Sequence, residues 1–347
     1  MRIAIVAPPW YPVPPEGYGG TERVVALLAR GLRARGHHVT LYGREGSTEG
    51  DVVRARAPAA WTEQFGAWVH HHTYAARVHR ELRHEPFDVV HDHAGAESLL
   101  LDAFAGPAAP VVGTFHEPVG AAQASFLSEI DEQVALVAVS ETQRSGGDAT
   151  GVRWAGVVHN GLDERELLPD LPVKDGYLVQ LARIDESKGQ HVAIEVARRA
   201  GLPLVLAGKL DDLPECVAYF RSRIEPHLGN GVTWVPEVRG LEKAALLARA
   251  GAGVFPLQWD EPFGLALAET MANGTPVVAL DRGAARELVE EGVMGLVAQD
   301  VDGMVRAIPH VRSLDPQLCA ERARKRFCAE RMVDAYLRIY QAVRAAA

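Results

Sequence analysis

Short apolar runs alternate with longer amphipathic stretches from one end of this chain to the other, and that alternation leaves few folds open. Ile3 to Ala7, Val39 to Tyr42, Val89 to His91, Val111 to Phe115 and Leu136 to Val139 read as buried strands. Between the first two, Thr21 to Arg35 places Val24, Val25, Leu28 and Leu32 at helical spacing, and Gly36 supplies a stop. Strands separated by helical crossovers pair in parallel, so the expected class is α/β. A second series of the same kind follows at Tyr177 to Leu181, Pro203 to Ala207, Val232 to Val235, Ala252 to Pro256 and Pro276 to Leu280. The pause between the two series, Asp163 to Gly176, holds Pro169, Pro172 and a cluster of charges and is expected to be a linker.

A chain of 347 residues exceeds the usual size of one core. Two Rossmann-like domains are therefore expected, 1–168 and 169–325, facing each other across a cleft. In open α/β sheets ligands bind beyond the carboxyl ends of the strands, so the strand-to-helix loops of both should aim at that cleft. The last segment, 326–347, presents Val333, Tyr336, Leu337, Tyr340 and Val343 on one helical face.

Charge and composition narrow the function. The chain carries 45 carboxylates against 36 Lys and Arg, a net charge of −9, which argues against nucleic acid as a partner. No apolar run approaches the roughly 20 residues that span a bilayer. Pro8 and Pro9 cut short an opening that otherwise looks like a signal peptide, so a cytoplasmic location is expected. Cys216, Cys319 and Cys328 are too few and scattered for a disulfide framework or zinc site. The helix expected near Tyr74 to His84 aligns Arg77, Arg80 and Arg83; a solvated basic face accounts for them more simply than an anionic acceptor or peripheral membrane contact.

The most informative loop runs from Phe255 to Pro276. A strand ends near Pro256, and a helix starts near Phe263 or Gly264 and stops at Gly274. Its free N–H groups at Phe263, Gly264 and Leu265 make an anion site, and Gly264 lets the backbone come close. Glu261 and Glu269 flank that site. Carboxylates repel phosphates but accept hydrogen bonds from vicinal hydroxyls, so one suits a sugar and the other a ribose. The plainer alternative is that Glu261 favours the helix dipole and Glu269 is solvated. A second strand-to-helix loop carries Arg183 and Lys188, a planar fork and a point charge suited to a diphosphate; surface pairing with Asp185 or Glu186 is the alternative. In the first half, Tyr18, Gly19 and Gly20 precede a helix. The glycines can offer backbone donors to an oxygen ligand, while Thr21 is an equally simple N-cap. This run is not the G-x-G-x-x-G dinucleotide fingerprint. His93 and His116 end strands, and His70, His71 and His72 diverge along a helix, so no converging metal set is legible.

Taken together these loops resemble the retaining GT-B glycosyltransferases of family 4. The resemblance runs in order through Gly19-Gly20, His116, Val139-Ser140-Glu141, Val158 to Asp163, Arg183 with Lys188, Leu206-Ala207-Gly208, and Glu261 through Glu269 with Phe-Gly-Leu between them. It implies a GT-B fold whose terminal helix crosses back to the first domain. The implied reaction moves a hexose-type sugar from a nucleoside-diphosphate sugar, a UDP-sugar before a GDP- or ADP-sugar, to a small-molecule or glycan acceptor. Arg183 and Lys188 would hold the diphosphate, Glu261 the donor sugar, Glu269 the ribose, and His116 the transferred sugar near the reacting carbon. Backbone at Gly208, Phe263, Gly264 and Leu265 would line the donor, and Val238 the base. Tyr18, His93 and Asn160 are acceptor candidates by location. No metal or other cofactor is expected, since the cations and helix N-termini do the electrostatic work. The sequence departs from relatives at Pro236, where a glycine is common, which leaves the base preference open. The remaining alternatives are a same-fold epimerase or phosphorylase, or a silent sugar-nucleotide-binding subunit.

Overall fold

The computed structural model describes residues 1–146 and 151–346. They divide into two compact units, Met1–Gly161 with Ala329–Ala347, and Leu162–Cys328. The N-terminal unit holds a seven-stranded, wholly parallel sheet in the order β3-β2-β1-β4-β5-β6-β7. Its strands are β1 (Arg2–Val6), β2 (His38–Arg44), β3 (Val52–Ala57), β4 (Val89–Asp92), β5 (Val111–Phe115), β6 (Val134–Ala138) and β7 (Trp154–Val157). The C-terminal unit holds a six-stranded parallel sheet in the order β10-β9-β8-β11-β12-β13. Its strands are β8 (Leu178–Leu181), β9 (Leu204–Ala207), β10 (Val232–Val235), β11 (Ala252–Phe255), β12 (Val277–Leu280) and β13 (Gly295–Ala298).

Three of these strands have no counterpart in the sequence reading: β3, β7 and β13. All three lie at a sheet edge. An edge strand is covered on fewer sides, so it need not be a continuous apolar run. In β3 the arginines Arg54 and Arg56 interrupt the pattern and pair with Glu85 and Glu81 instead of entering a core.

The segment 163–176 is no loose linker. Lys174 turns inward and donates to Ala248 O at 2.8 Å, Gly274 O at 2.7 Å and Thr275 Oγ1 at 2.7 Å. Those acceptors close the helices Gly240–Arg249 and Leu265–Ala272, whose last carbonyls lack intrahelical partners. Arg324 adds a 2.6 Å bond to Leu168 O. The strap thus belongs to the C-terminal unit, which begins at Leu162 and not at 169.

The terminal helix, Ala329–Ala346, belongs to the N-terminal unit and buries Met332, Val333, Tyr336 and Tyr340. It sits close to the first helix, Gly20–Ala34: a Cβ on Gly31 would fall 2.5 Å from Val333 Cγ2. Its tyrosines reach the sheet. Tyr340 hydroxyl lies 2.6 Å from His91 Nδ1, His91 Nε2 lies 2.8 Å from Thr114 Oγ1, and Tyr336 hydroxyl lies 3.0 Å from the same Oγ1. Burial holds the His91 imidazole well below its usual pKa, so this buried network is neutral.

Replacing Lys174 by Met removes the donor and strands three acceptors. Urea denaturation of Lys174→Met should show a loss on the order of 2 kcal/mol with an unchanged m-value. A midpoint equal to wild type would mean the strap is dispensable.

Candidate functional site

Each sheet reverses its strand order at one place, between β1 and β4 in one unit and between β8 and β11 in the other. The loops leaving those strands are where an open parallel sheet receives ligands.

In the C-terminal unit, β8 leads to Arg183 and then to a short turn, Glu186–Lys188. Asp185 folds this loop by accepting from Ser187 N–H at 2.9 Å and from the Ser187 hydroxyl. Gln180 donates to Lys188 O at 2.6 Å and Gln190 to Arg183 O at 2.8 Å, so the backbone under both cations is tied from each side. The loop leaving β11 lies against it, with Gln258 N–H on Ser187 O at 2.8 Å. Across this seam Lys188 Nζ meets Glu261 Oε2 at 2.5 Å. Trp259 donates from its indole to the same oxygen at 3.0 Å, and its ring lies 4.2 Å from the Lys188 ammonium. Arg183 pairs with Asp185 at 2.9 Å and Asp211 at 3.4 Å. The alternative pairing of Arg183 with Asp185 is therefore present, whereas Lys188 reaches to a different loop. All these side chains are about four-fifths buried, so the pairs are partly shielded from water.

Backbone geometry admits an oxygen-rich ligand close by. Gly264 caps the helix Leu265–Ala272 with φ of 101°, a conformation that favours glycine. The first N–H groups of that helix have no intrahelical acceptor. Phe263 is buried and packs edge-on against Phe327 at 5.8 Å, so its ring belongs to the core. Gly208, after β9, has φ of 152°, and a Cβ there would lie 1.9 Å from Ala182 O. Val238 sits half-buried in the segment between β10 and the helix Gly240–Arg249. Glu269 points to a third cation, Lys243, at 2.9 Å.

The N-terminal unit gathers a second group of residues. Gly19 caps the helix Gly20–Ala34, and a Cβ on it would fall 3.1 Å from Glu22 Oε2. Glu22 is buried in the first turn, where burial pushes its carboxyl up to about 7 despite hydrogen bonds from the N–H groups of Glu22 and Tyr11. Sequence reasoning passed over it; a carboxylate three residues after a capping glycine is the available signal. His93 Nδ1 lies 2.9 Å from His116 Nε2, and the rings stack. Burial lowers His116 to about 4 and His93 well below its usual value, so both are neutral near pH 7 and one donates to the other. Of the three acceptor candidates Tyr18 is exposed, while His93 and Asn160 are buried.

Among the described residues, His79, Asp92 and Asp102 are a trio of metal-ligand types with ligand atoms within 4.8 Å. Asp92 accepts from Ala94 N–H at 2.6 Å and from the Ser98 hydroxyl. Burial, then the charge of Asp92, drives the Asp102 carboxyl well above its usual range. Burial thus favours the neutral form of Asp102, and all three side chains are sealed in the core. No helix of the described residues is long and apolar enough to cross a membrane.

Two family models cover most of the chain. Glycosyltransferase Family 4 matches residues 18–166, and Glycosyl transferases group 1 matches residues 168–325. A phosphatidyl-myo-inositol mannosyltransferase of Mycolicibacterium smegmatis is 28% identical over 89% of this chain and 84% of its own. Among solved structures, AviGT4, a glycosyltransferase involved in avilamycin A biosynthesis, is 25% identical with a TM-score of 0.76, covering 100% of this chain and 99% of that one. HepE of Anabaena, solved with UDP and glucose, is 20% identical with a TM-score of 0.75, covering 99% of this chain and 100% of that one.

Glu22 supplies a stability test. Its folded pKa is raised from 4.5 to about 7, so the folded state holds a proton that the unfolded state has released. Its contribution is fully present below pH 4.5 and is lost as pH rises through 7. Relative to Glu22→Gln, wild type should lose on the order of 3 kcal/mol between pH 4.5 and 8. Parallel stability curves for the two proteins would refute the buried, proton-holding carboxyl.

Proposed function

Because the chain belongs to the family 4, group 1 glycosyltransferases and has their GT-B fold, we propose that it moves a hexose-type sugar from a nucleoside-diphosphate sugar to a small-molecule or glycan acceptor, with retention at the anomeric carbon. The observation that carries this reading is the Lys188–Glu261 pair beside the helix N-terminus at Gly264, with Arg183 on the same loop as Lys188, on the two loops that flank the reversal of strand order. Two cations and the N–H groups of a helix's first turn suit a diphosphate; a carboxylate beside them suits sugar hydroxyls. The mannosyltransferase relative supports a hexose, and the UDP and glucose bound to HepE favour a UDP-sugar over GDP- or ADP-sugars.

On this reading the bond between the anomeric carbon and the β-phosphate oxygen breaks while the acceptor oxygen bonds to the same face of that carbon. The acceptor's hydroxyl proton passes to the departing phosphate oxygen. Charge builds on the diphosphate as it leaves. Arg183, Lys188 and the helix dipole stabilise it there more than in the bound donor, which is what lowers a barrier. Glu261 orients the donor sugar, and Glu269 the ribose. His116 offers a neutral imidazole to hydroxyls of the transferred sugar, as its lowered pKa near 4 allows. These groups supply the positive charge that a divalent metal supplies in other transferases, so no cofactor is required.

Lys188→Ala should fold normally by circular dichroism and lose 10²–10³-fold in donor turnover, about the effect of removing one charge-stabilising donor. Near-wild-type donor hydrolysis would sink its role. A thermal-shift screen against UDP, GDP and ADP should find one that adds about 2.7 kcal/mol at 100 times its dissociation constant. No shift from any of them would remove the donor-site reading. Transfer should also persist in EDTA, and strict dependence on added Mn²⁺ or Mg²⁺ would overturn the metal-free mechanism.

A further inference from the structure

The helix Gly240–Arg249 carries a lysine in its first turns whose side chain is only 8% exposed. Lys243 Nζ lies 2.9 Å from Glu269 Oε2 and 3.1 Å from Glu166 Oε2. A lysine so deeply placed has given up most of its hydration, and two carboxylates repay it. The arrangement is lopsided in a useful way. Lys243 engages Glu269 through Oε2, at 2.9 Å, which leaves Oε1 available for a further donor. Glu166, on the strap that opens the C-terminal unit, holds the ammonium from the other side. Lys243 is thereby fixed between two anchors and cannot follow a ligand. Glu269 sits on the helix capped by Gly264, the same helix whose N-terminus faces the proposed diphosphate.

We infer that Lys243 is a positioning residue for ribose recognition: it locks Glu269 in one rotamer, so that Oε1 is presented to the vicinal hydroxyls of the nucleotide. The inference rests on the donor-site reading above. Lys243 touches no substrate and acts through Glu269. An unheld glutamate would spend its acceptor strength on water and on other rotamers, and each immobilised side chain costs binding energy at the moment of association. Holding the carboxylate in advance removes that cost for the ribose and leaves the rest of the nucleotide unaffected. The signature is therefore a change in sugar discrimination, not a general loss of affinity.

The test is calorimetric titration of the full chain with UDP, GDP and ADP and with their 2′-deoxy and 3′-deoxy counterparts. Wild type should prefer the ribonucleotide by about tenfold, the worth of a hydrogen bond to a charged acceptor. Lys243→Met should bring that preference within about twofold while its affinity for the deoxy forms stays near wild type. Lys243→Gln, which keeps length and polarity, should behave alike if the methionine variant fails to fold, and Lys243→Arg should retain most of the preference. Equal weakening of ribo and deoxy forms in the variants would overturn the positioning role. So would a wild type that binds nucleotides without ribose preference. A wild type that binds none of the nine nucleotides would instead remove the donor-site reading, and this inference with it.

Discussion

The Lys188–Glu261 contact is the interaction around which the C-terminal unit's chemistry is arranged. It joins the loop leaving β8 to the loop leaving β11, the two neighbours at which the sheet reverses order. Pairs of this exposure contribute little to net stability, since lost hydration offsets most of the attraction. Its consequence is geometric. Gln180 holds the backbone beneath Lys188, Ser187 O receives Gln258 N–H, and Glu261 O receives Ala284 N–H at 3.0 Å. Each end of the pair is thus clamped by its own loop, and Trp259 closes it from the side. A cation and a carboxylate are held ready on a frame that needs little rearrangement.

The two groups of candidate residues handle charge in opposite ways. In the C-terminal unit Arg183, Lys188 and Lys243 are each met by carboxylates at hydrogen-bonding distance. In the N-terminal unit burial works against ionisation: His93 and His116 are held neutral, Glu22 holds its proton up to about pH 7, and Asp102 stays protonated. Fixed charges suit phosphates, which carry charge of their own. Neutral donors and acceptors suit hydroxyls, which a buried ion would bind with less regard to geometry.

How much of this was legible in the sequence depended on whether a signal was local. The buried central strands and the terminal helix with Val333, Tyr336 and Tyr340 are periodic in sequence and stand in the structure. The edge strand β3 escaped because Arg54 and Arg56 break its apolar run, and β7 and β13 because each is a four-residue run containing a glycine. The strap 163–176 misled because prolines and charges look alike in a tether and in a segment whose lysine seals two helix ends. Arg183, Lys188, Glu261 and Gly264 could be singled out because each occupies a strand-to-helix loop. Their partners could not. Asp211 meets Arg183 and Lys243 meets Glu269 only after the sheet order has been set, and nothing near either residue in the chain marks the pairing. Glu22 was hidden differently: nothing in its spacing marks its burial, and only its depth in the fold reveals that it is pushed toward neutrality.

Charge balance also bears on how donor parts are read together. Lys188 pairs with Glu261, and on the proposed reading a diphosphate competes with that carboxylate for the ammonium. Phosphate oxygens carry more charge than a single carboxylate and also gain the helix N–H groups, so the exchange favours the diphosphate. It leaves Glu261 in need of donors, however, and an unpaired carboxylate in a partly buried site is costly. A hexose placed beside the diphosphate supplies hydroxyl donors at the point where they are missing. On the proposed reading, then, sugar and phosphate are not recognised additively. Each makes the other's contacts worth more, because one carboxylate, Glu261, is shared between Lys188 and the sugar's hydroxyls.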